Sequence, residues 1–187
     1  WRHLAVTRWR EDTTRDAWGS YLYLRDVDSG QVWSAGYQPT TATPEHYDVV
    51  FVEDRARITR TDGAIVTTLE IVVSPEDDAE IRRLSLTNNS MHEREIEVTS
   101  YAEIVLTTMQ ADIAHPAFSN LFVQTEYLPQ TRALLAHRRQ RSSEDPQLWA
   151  SHLLADRQTG DGLQYEPDLA RLNGRGQTLR EPLAVMD

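Results

Sequence analysis

AIVTTLEIVVS, residues 64–74, is the stretch on which the fold reading turns. In an extended chain Ile65, Thr67, Leu69, Ile71 and Val73 share one face, and Val66, Thr68, Glu70 and Val72 share the other. The stretch is rich in Val, Ile and Thr, and little in it favours a helix. Turn signals bound it, Thr61-Asp62-Gly63 before and Pro75-Glu76-Asp77-Asp78 after. It reads as a strand set among other strands.

Working outward, Tyr21 to Leu24 and Gln31 to Trp33 flank Asp28-Ser29-Gly30 and read as a hairpin. Ala35 to His46 is rich in Thr, Pro and Gly and reads as a loop. Tyr47 to Val52, Arg57 to Thr61, Ile81 to Thr87, Leu121 to Tyr127, Ala133 to Arg138 and Leu148 to Ala155 are further strands. Arg94 to Leu106 alternates throughout. Ile96, Val98, Ser100, Ala102, Ile104 and Leu106 are expected to face the core, with Glu95, Glu97, Thr99, Tyr101, Glu103 and Val105 on the other side. Asp112 to Ser119 reads as irregular. The tail from Gln158 is polar and Gly-rich, with a short helical turn at Pro167 to Leu172. About ten strands at intervals of ~8–12 residues predict an all-β sandwich or barrel. No repeat period points to a propeller or solenoid.

The chain has 187 residues, which suits a single domain. It carries 19 basic and 29 acidic residues, a formal charge of -10. That balance argues against nucleic acid, whose binders need a basic face to displace counterions. The basic run Arg138-Arg139-Gln140-Arg141 has no interleaved aromatics and reads as a solvated strand end. With no cysteine, disulfides and thiolate metal sites are excluded. No apolar run nears the ~18–20 residues of a membrane span, and no signal-peptide pattern is visible. The chain opens on Trp1 rather than Met and is expected to be a piece of a longer protein.

Catalytic motifs are scarce. The six histidines form no H-x-H or H-x-x-x-H pair, and Asp112 with His115 stand on an expected loop. Glu76-Asp77-Asp78 lacks the EF-hand spacing and reads as an acidic turn. There is no G-x-S-x-G elbow and no Gly-rich phosphate loop. Metal and cofactor are therefore both expected to be absent. The aromatics say more: Trp1, Trp9, Trp18, Tyr21, Tyr23, Trp33, Tyr37 and Tyr47 crowd the first quarter. Aromatic faces stack on the C–H faces of sugar rings, though the same residues equally fill a sandwich core.

Four segments carry a family resemblance: AVTRWREDTTRDAWGSYLYLRDVDSGQVWSAGYQPT (5–40), EIVVSPEDDAEIRRLSLTN (70–88), REIEVTSYAEIVL (94–106) and DIAHPAFSNLFVQTE (112–126). In this order they resemble the β-domain of cyclic β-1,2-glucan synthases. That domain was once classed with glycosyltransferase family 36 and is related to cellobiose and chitobiose phosphorylases of glycoside hydrolase family 94. The likeness runs from Trp1 to Gly176. It implies a β-supersandwich of two large antiparallel sheets, similar to galactose mutarotase, as one domain over residues 1–187. Family members usually carry a further strand before AVTRW, so N-terminal strands are expected outside this chain. The resemblance implies an adjacent (α/α)6 barrel that holds the catalytic groups, a β-glucan or other carbohydrate as ligand, and homodimer contacts. It also implies a parent enzyme in a bacterial inner membrane, with this domain cytoplasmic and itself not an enzyme. The accessory role is support of glucan chain-length control.

The carbohydrate surface is expected at Tyr23, Arg25, Asp26, Trp33 and Gln38. They lie in the most aromatic part of the chain, and the polar ones are types that fork hydrogen bonds to hydroxyls. Two alternatives stay open: a scaffold or dimerisation module without sugar contact, and an aldose-epimerase-like enzyme using His115 with Glu103 or Glu126.

Overall fold

The computed structural model describes residues 3–12, 14, 18–155 and 163–186. Trp1 of the aromatic group and Gln158 to Gly162 of the polar tail lie outside them. The described residues are mostly β, the expected class. In chain order they form β1 (Ala5–Thr7), β2 (Ser20–Asp26), β3 (Val32–Ser34), β4 (His46–Phe51), β5 (Arg55–Asp62), β6 (Ile65–Val73), β7 (Glu80–Asn88), β8 (Ile96–Ala102) and β9 (Ile104–Thr107). There follow α1 (Met109–Ala114), α2 (Pro116–Asn120), β10 (Val123–Leu128), β11 (Ala133–Arg138), β12 (Leu148–Leu153), α3 (Leu169–Asn173) and α4 (Leu183–Met186). The strands hydrogen-bond as four antiparallel sheets. The chain divides into two compact units, Trp1–Ser20 with Ala102–Leu169, and Tyr21–Tyr101 with Ala170–Asp187.

In the second unit β4-β5-β6-β7 form a meander. The deciding stretch supplies β6, which pairs with β5 from Arg55↔Val72 to Asp62↔Ile65. Gly63 takes φ +57° at that turn, a conformation most side chains resist. The alternation read from the sequence holds from Ile65 to Glu70, where Ile65, Thr67 and Leu69 are buried and Val66, Thr68 and Glu70 only partly covered; beyond it Ile71 is partly covered and Val73 exposed. Ile65 and Leu69 pack with Leu22, Leu24, Trp33 and Ala35 from β2, β3 and the residue after them. Each such fully buried aliphatic or aromatic side chain contributes about 1.5–3 kcal/mol.

β2 is the middle strand of β3-β2-β8, and both its faces are covered. Leu22 and Leu24 enter the cluster just described. On the other face Tyr23 and Tyr101 pack with Leu172, Leu179 and Val185 of the C-terminal segment. α3 ends at Gly174, whose N–H donates to the Ala170 carbonyl at 3.0 Å. Gly174 has φ +76°, and a Cβ there would fall 2.7 Å from Leu183 Cβ, so only glycine lets α4 fold back this closely.

In the first unit β1 pairs with β9, and β10-β11-β12 form a separate sheet against which β9 packs. Arg94 to Leu106 is not one strand: it breaks at Glu103, and β8 and β9 belong to different sheets. Tyr101 and Val105, expected to face away from the core, are buried, as is Leu106, which was expected to be, while Ile96, Val98, Ser100, Ala102 and Ile104 are only partly covered. Asp112 to Ser119 is not irregular but lies in α1 and α2. Thr108 caps α1, its Oγ1 accepting from the Ala111 N–H at 3.3 Å, and Pro116 opens α2 at a position that needs no N–H.

Candidate functional site

The five residues expected to form a carbohydrate surface occupy different environments of the second unit. Tyr23 and Trp33 are fully buried, and they belong to different clusters because they sit on opposite faces of the β3-β2-β8 sheet. The Tyr23 hydroxyl donates to the Leu179 carbonyl at 2.7 Å. Burial first, then the neighbouring Tyr101 and Tyr21 phenols, holds its ionisation far above the ordinary range. Trp33 Nε1 donates to Thr67 Oγ1 at 3.3 Å. Asp26 is buried and accepts from the Asp28 and Ser29 N–H groups at 3.1 Å each, closing the turn after β2, while Arg94 pairs with its other oxygen. Arg25 is ion-paired with the more exposed Glu97 at 2.9 Å. Gln38 is half-buried and precedes the cis bond to Pro39. Of the five, Arg25, beside its partner Glu97, and Gln38 are the ones that reach water. Tyr23, Asp26 and Trp33 fix the hairpin beneath them.

Asp26 gives a measurable consequence. Burial pushes its carboxyl up, but the Ser29 N–H and the Arg94 guanidinium outweigh that and hold it below the ordinary carboxylate range. A depressed folded pKa stabilises fully above the unfolded value of about 3.9, and the contribution is lost as pH falls through the folded value. Asp26→Asn is therefore expected to lower the urea midpoint at pH 7 and to flatten the decline below about pH 4. Parallel midpoint curves for wild type and variant would remove Asp26 from the acid limb.

The loop between β3 and β4 is anchored from beneath by a residue the sequence reading passed over. Arg60 is completely buried. Its Nε and Nη2 hold both oxygens of Asp62 at 2.7 and 2.6 Å. Its other donors reach the carbonyls of Ser34, Gly36 and Ala42 at 2.8, 2.6 and 3.1 Å. An Arg and an Asp two apart on the inward face of a strand were a legible signal, since inward charges persist only when paired.

The first unit has a comparable node. Arg8 grips Asp112 through Nε and Nη2 at 2.9 and 2.6 Å. It also donates to Glu103, to the Pro116 carbonyl and to Asn120 Oδ1. The Glu103 carboxylate accepts from Asn120 as well. Of the epimerase-type pairings, Glu103 is thus engaged by Arg8, and Glu126 stands exposed in β10. Among the described residues no three His, Asp or Glu side chains converge as metal ligands.

One face of the β10-β11-β12 sheet is open. Register places Gln124, His137 and Trp149 in a row across it, with Glu126, Leu135 and Ser151 in the next row of that face. The His137 and Trp149 rings lie 4.5 Å apart, and Trp149 remains 55% exposed. A concavity of about 220 Å³ adjoins them, lined by His137, Arg139, Gln140, Gln147 and Trp149 among others. The opposite face is committed inward: Arg138 donates to the carbonyls of Val105 and Ser119 at 2.9 and 3.1 Å. The basic run is also not a bare strand end, since Arg138, Arg139 and Arg141 each lie 5.4 Å from the Phe122 ring centroid. The aromatics missing from the run in sequence are supplied by α2 and the residues after it.

Against known proteins, residues 1–187 match the family described as glycosyl hydrolase 94, supersandwich domain. The chain is 38% identical over 185 residues to cyclic beta-(1,2)-glucan synthase NdvB of Rhizobium meliloti (strain 1021), covering 98% of this chain and 6% of that protein. It is 31% identical over 129 residues to solabiose phosphorylase of Paenibacillus borealis, covering 69% and 16%. With N,N'-diacetylchitobiose phosphorylase of Vibrio furnissii the identity is 29% over 124 residues, covering 65% and 16%. The chain therefore spans only a small part of the length of each of these relatives.

Proposed function

The chain belongs to the glycosyl hydrolase 94 supersandwich-domain family, and from that premise we propose that it is a non-catalytic, carbohydrate-associated domain of a much longer enzyme that builds or phosphorolyses glycans. The observation that carries this reading is the match over the whole chain to relatives whose names describe glucan synthesis and disaccharide phosphorolysis, of which it is 6–16%. The state of the buried acids supports it. Asp26, Asp62 and Asp112 are each tied to an arginine. A carboxylate engaged in that way is not poised to hand a proton to a leaving group, as a glycosidic acid must be.

In this reading residues 1–187 form one domain from the two units. It works beside a helical barrel of the same polypeptide, on a β-glucan, in an enzyme held at a bacterial inner membrane with this domain on the cytoplasmic side, and it supports control of glucan length. Arg25 with Glu97, and Gln38, supply polar contacts at the first hairpin, while Tyr23, Asp26 and Trp33 position them. A second reading, a self-association module without sugar contact, is favoured by β4. Its Tyr47, Val49 and Phe51 stand beside Arg60, Ile58 and Ala56, yet Phe51 is 79% exposed. Purified chain incubated with β-1,2-glucan and phosphate is expected to release no glucose 1-phosphate, while β-1,2-linked gluco-oligosaccharides bind it with a dissociation constant on the order of 1 mM. Phosphate-dependent release by the chain alone would overturn the proposal. Absence of binding together with a dimer in sedimentation would favour the second reading.

A further inference from the structure

We propose that the open face of the β10-β11-β12 sheet in the first unit is a saccharide-binding site, with Trp149 as its stacking platform; this rests on the carbohydrate-associated reading above and adds the place of contact. The argument starts from register. β11 and β12 pair Arg138 with Leu148 and His137 with Trp149, and β10 brings Gln124 opposite His137. The inward residues of this arrangement are spoken for, as the Arg138 bonds to Val105 and Ser119 show. The outward row keeps its side chains free for a ligand.

Trp149 is placed as a sugar platform needs to be. His137 braces the indole, with ring planes tilted by 35°, and Trp149 stays more than half exposed. A braced aromatic loses little rotamer freedom when a ligand lands on it, which lowers the cost of binding. The apolar C–H face of a pyranose can cover the exposed indole. The hydroxyls around the ring edge need groups that both donate and accept. Gln124 and Gln147 each offer an amide with both functions, and Gln140, whose Nε2 donates to the Asp145 carbonyl, keeps its oxygen as an acceptor. Gln140 and Gln147 line the adjoining concavity with Arg139. At about 220 Å³ it is smaller than the ~300–1,000 Å³ typical of drug-sized ligands. That size suits one sugar ring at the end of a chain lying along the sheet.

Arg138 and Arg139 both line the concavity, but an anion would have to compete with the contacts they already make. Arg138 is turned to backbone carbonyls, and Arg139 and Arg141 are laid over Phe122. The chain's formal charge of -10 repels polyanions. The apolar end of the face, at Leu153 and Leu128, lies one row beyond Ser151 and is not part of the site.

The test uses the whole chain and three probes: a β-1,2-linked glucose disaccharide, glucose and inorganic phosphate. Indole N–H resonances are followed by NMR, with the Trp149 signal assigned from Trp149→Phe. The disaccharide is expected to shift the Trp149 signal saturably and more than glucose does. Trp149→Ala should weaken binding at least tenfold at unchanged melting temperature, and Trp149→Phe should recover part of it. Gln147→Ala, an exposed change that leaves the fold intact, should weaken binding severalfold and serves if the alanine variant at 149 does not fold. Disaccharide binding that persists unaltered in Trp149→Ala and Gln147→Ala overturns this site while leaving the carbohydrate-associated reading standing. A response to phosphate alone overturns it in favour of an anion. Failure of every saccharide to bind overturns the site together with the binding part of that reading, whereas phosphate-dependent glucose 1-phosphate release overturns only its non-catalytic part.

Discussion

Replacing Arg60 with methionine is expected to destabilise the second unit by about 3–5 kcal/mol, the range seen when one partner of a buried ion pair is removed. Methionine fills much of the same volume, so the loss is electrostatic rather than a cavity. Asp62, 7% exposed, is left as a buried charge without its guanidinium. The carbonyls of Ser34, Gly36 and Ala42 lose their donors at the same time. Each kilocalorie lowers the melting temperature of a unit of this size by roughly 4–8 °C, so a fall of at least ~12 °C is expected by calorimetry. Arg60→Lys keeps the charge but has three donors for five bonds and should recover less than half of the loss. Adding Asp62→Asn to Arg60→Met should cost less than the sum of the single changes, because the orphaned charge is removed. A melting temperature within ~2 °C of wild type for Arg60→Met would show that the pair does not hold the loop.

Arg8→Leu is expected to cost the first unit a similar ~3–5 kcal/mol. Asp112 and Glu103, bound through Arg8 to the end of β1, α1 and α2, would lose that guanidinium, with Arg10 left 3.7 Å from Asp112. The effect should be local. Hydrogen exchange of the Ser119 and Asp112 amides should accelerate by two or more orders of magnitude, since ~1.4 kcal/mol is a factor of ten. Amides along β5 and β6 should keep their protection. Uniform acceleration across both units would mean that the node is not confined to the first.

Where the sequence was legible, local rules and tertiary demands agreed. From Arg55 to Asn88 each strand alternates, each turn carries Gly, Pro or Asn, and neighbouring strands pair, so reading one strand at a time suffices. Between Arg94 and Leu106 the same rule misled. Period-two alternation runs through Glu103 without a flaw, and the break is marked by partners outside the stretch, Arg8 and Asn120. α1 and α2 have six and five residues, too few to display a helical period. For the candidate site, composition drew attention to aromatics but could not say which were enclosed. Trp33 and Tyr23 turned inward. Trp149, a lone aromatic in sequence, gained His137 and Gln124 as neighbours only through strand register, which no local pattern encodes.

The division of the chain also has a temporal side. Each unit is assembled from two stretches separated by the other unit's residues, so neither can close in order of synthesis. Arg8 is bonded to a residue 104 positions later, and Tyr23 to one 156 positions later. At ribosomal speeds of roughly 5–20 residues per second, the Arg8 guanidinium waits about 5–20 s for Asp112 to be polymerised, and Tyr23 waits longer for Leu179. Throughout that interval the nascent polypeptide holds unpaired strands and an unmatched charge in solvent. A cut at any single peptide bond between residues 21 and 169 would strand part of both units, so the smallest piece that can mature by itself contains both crossings.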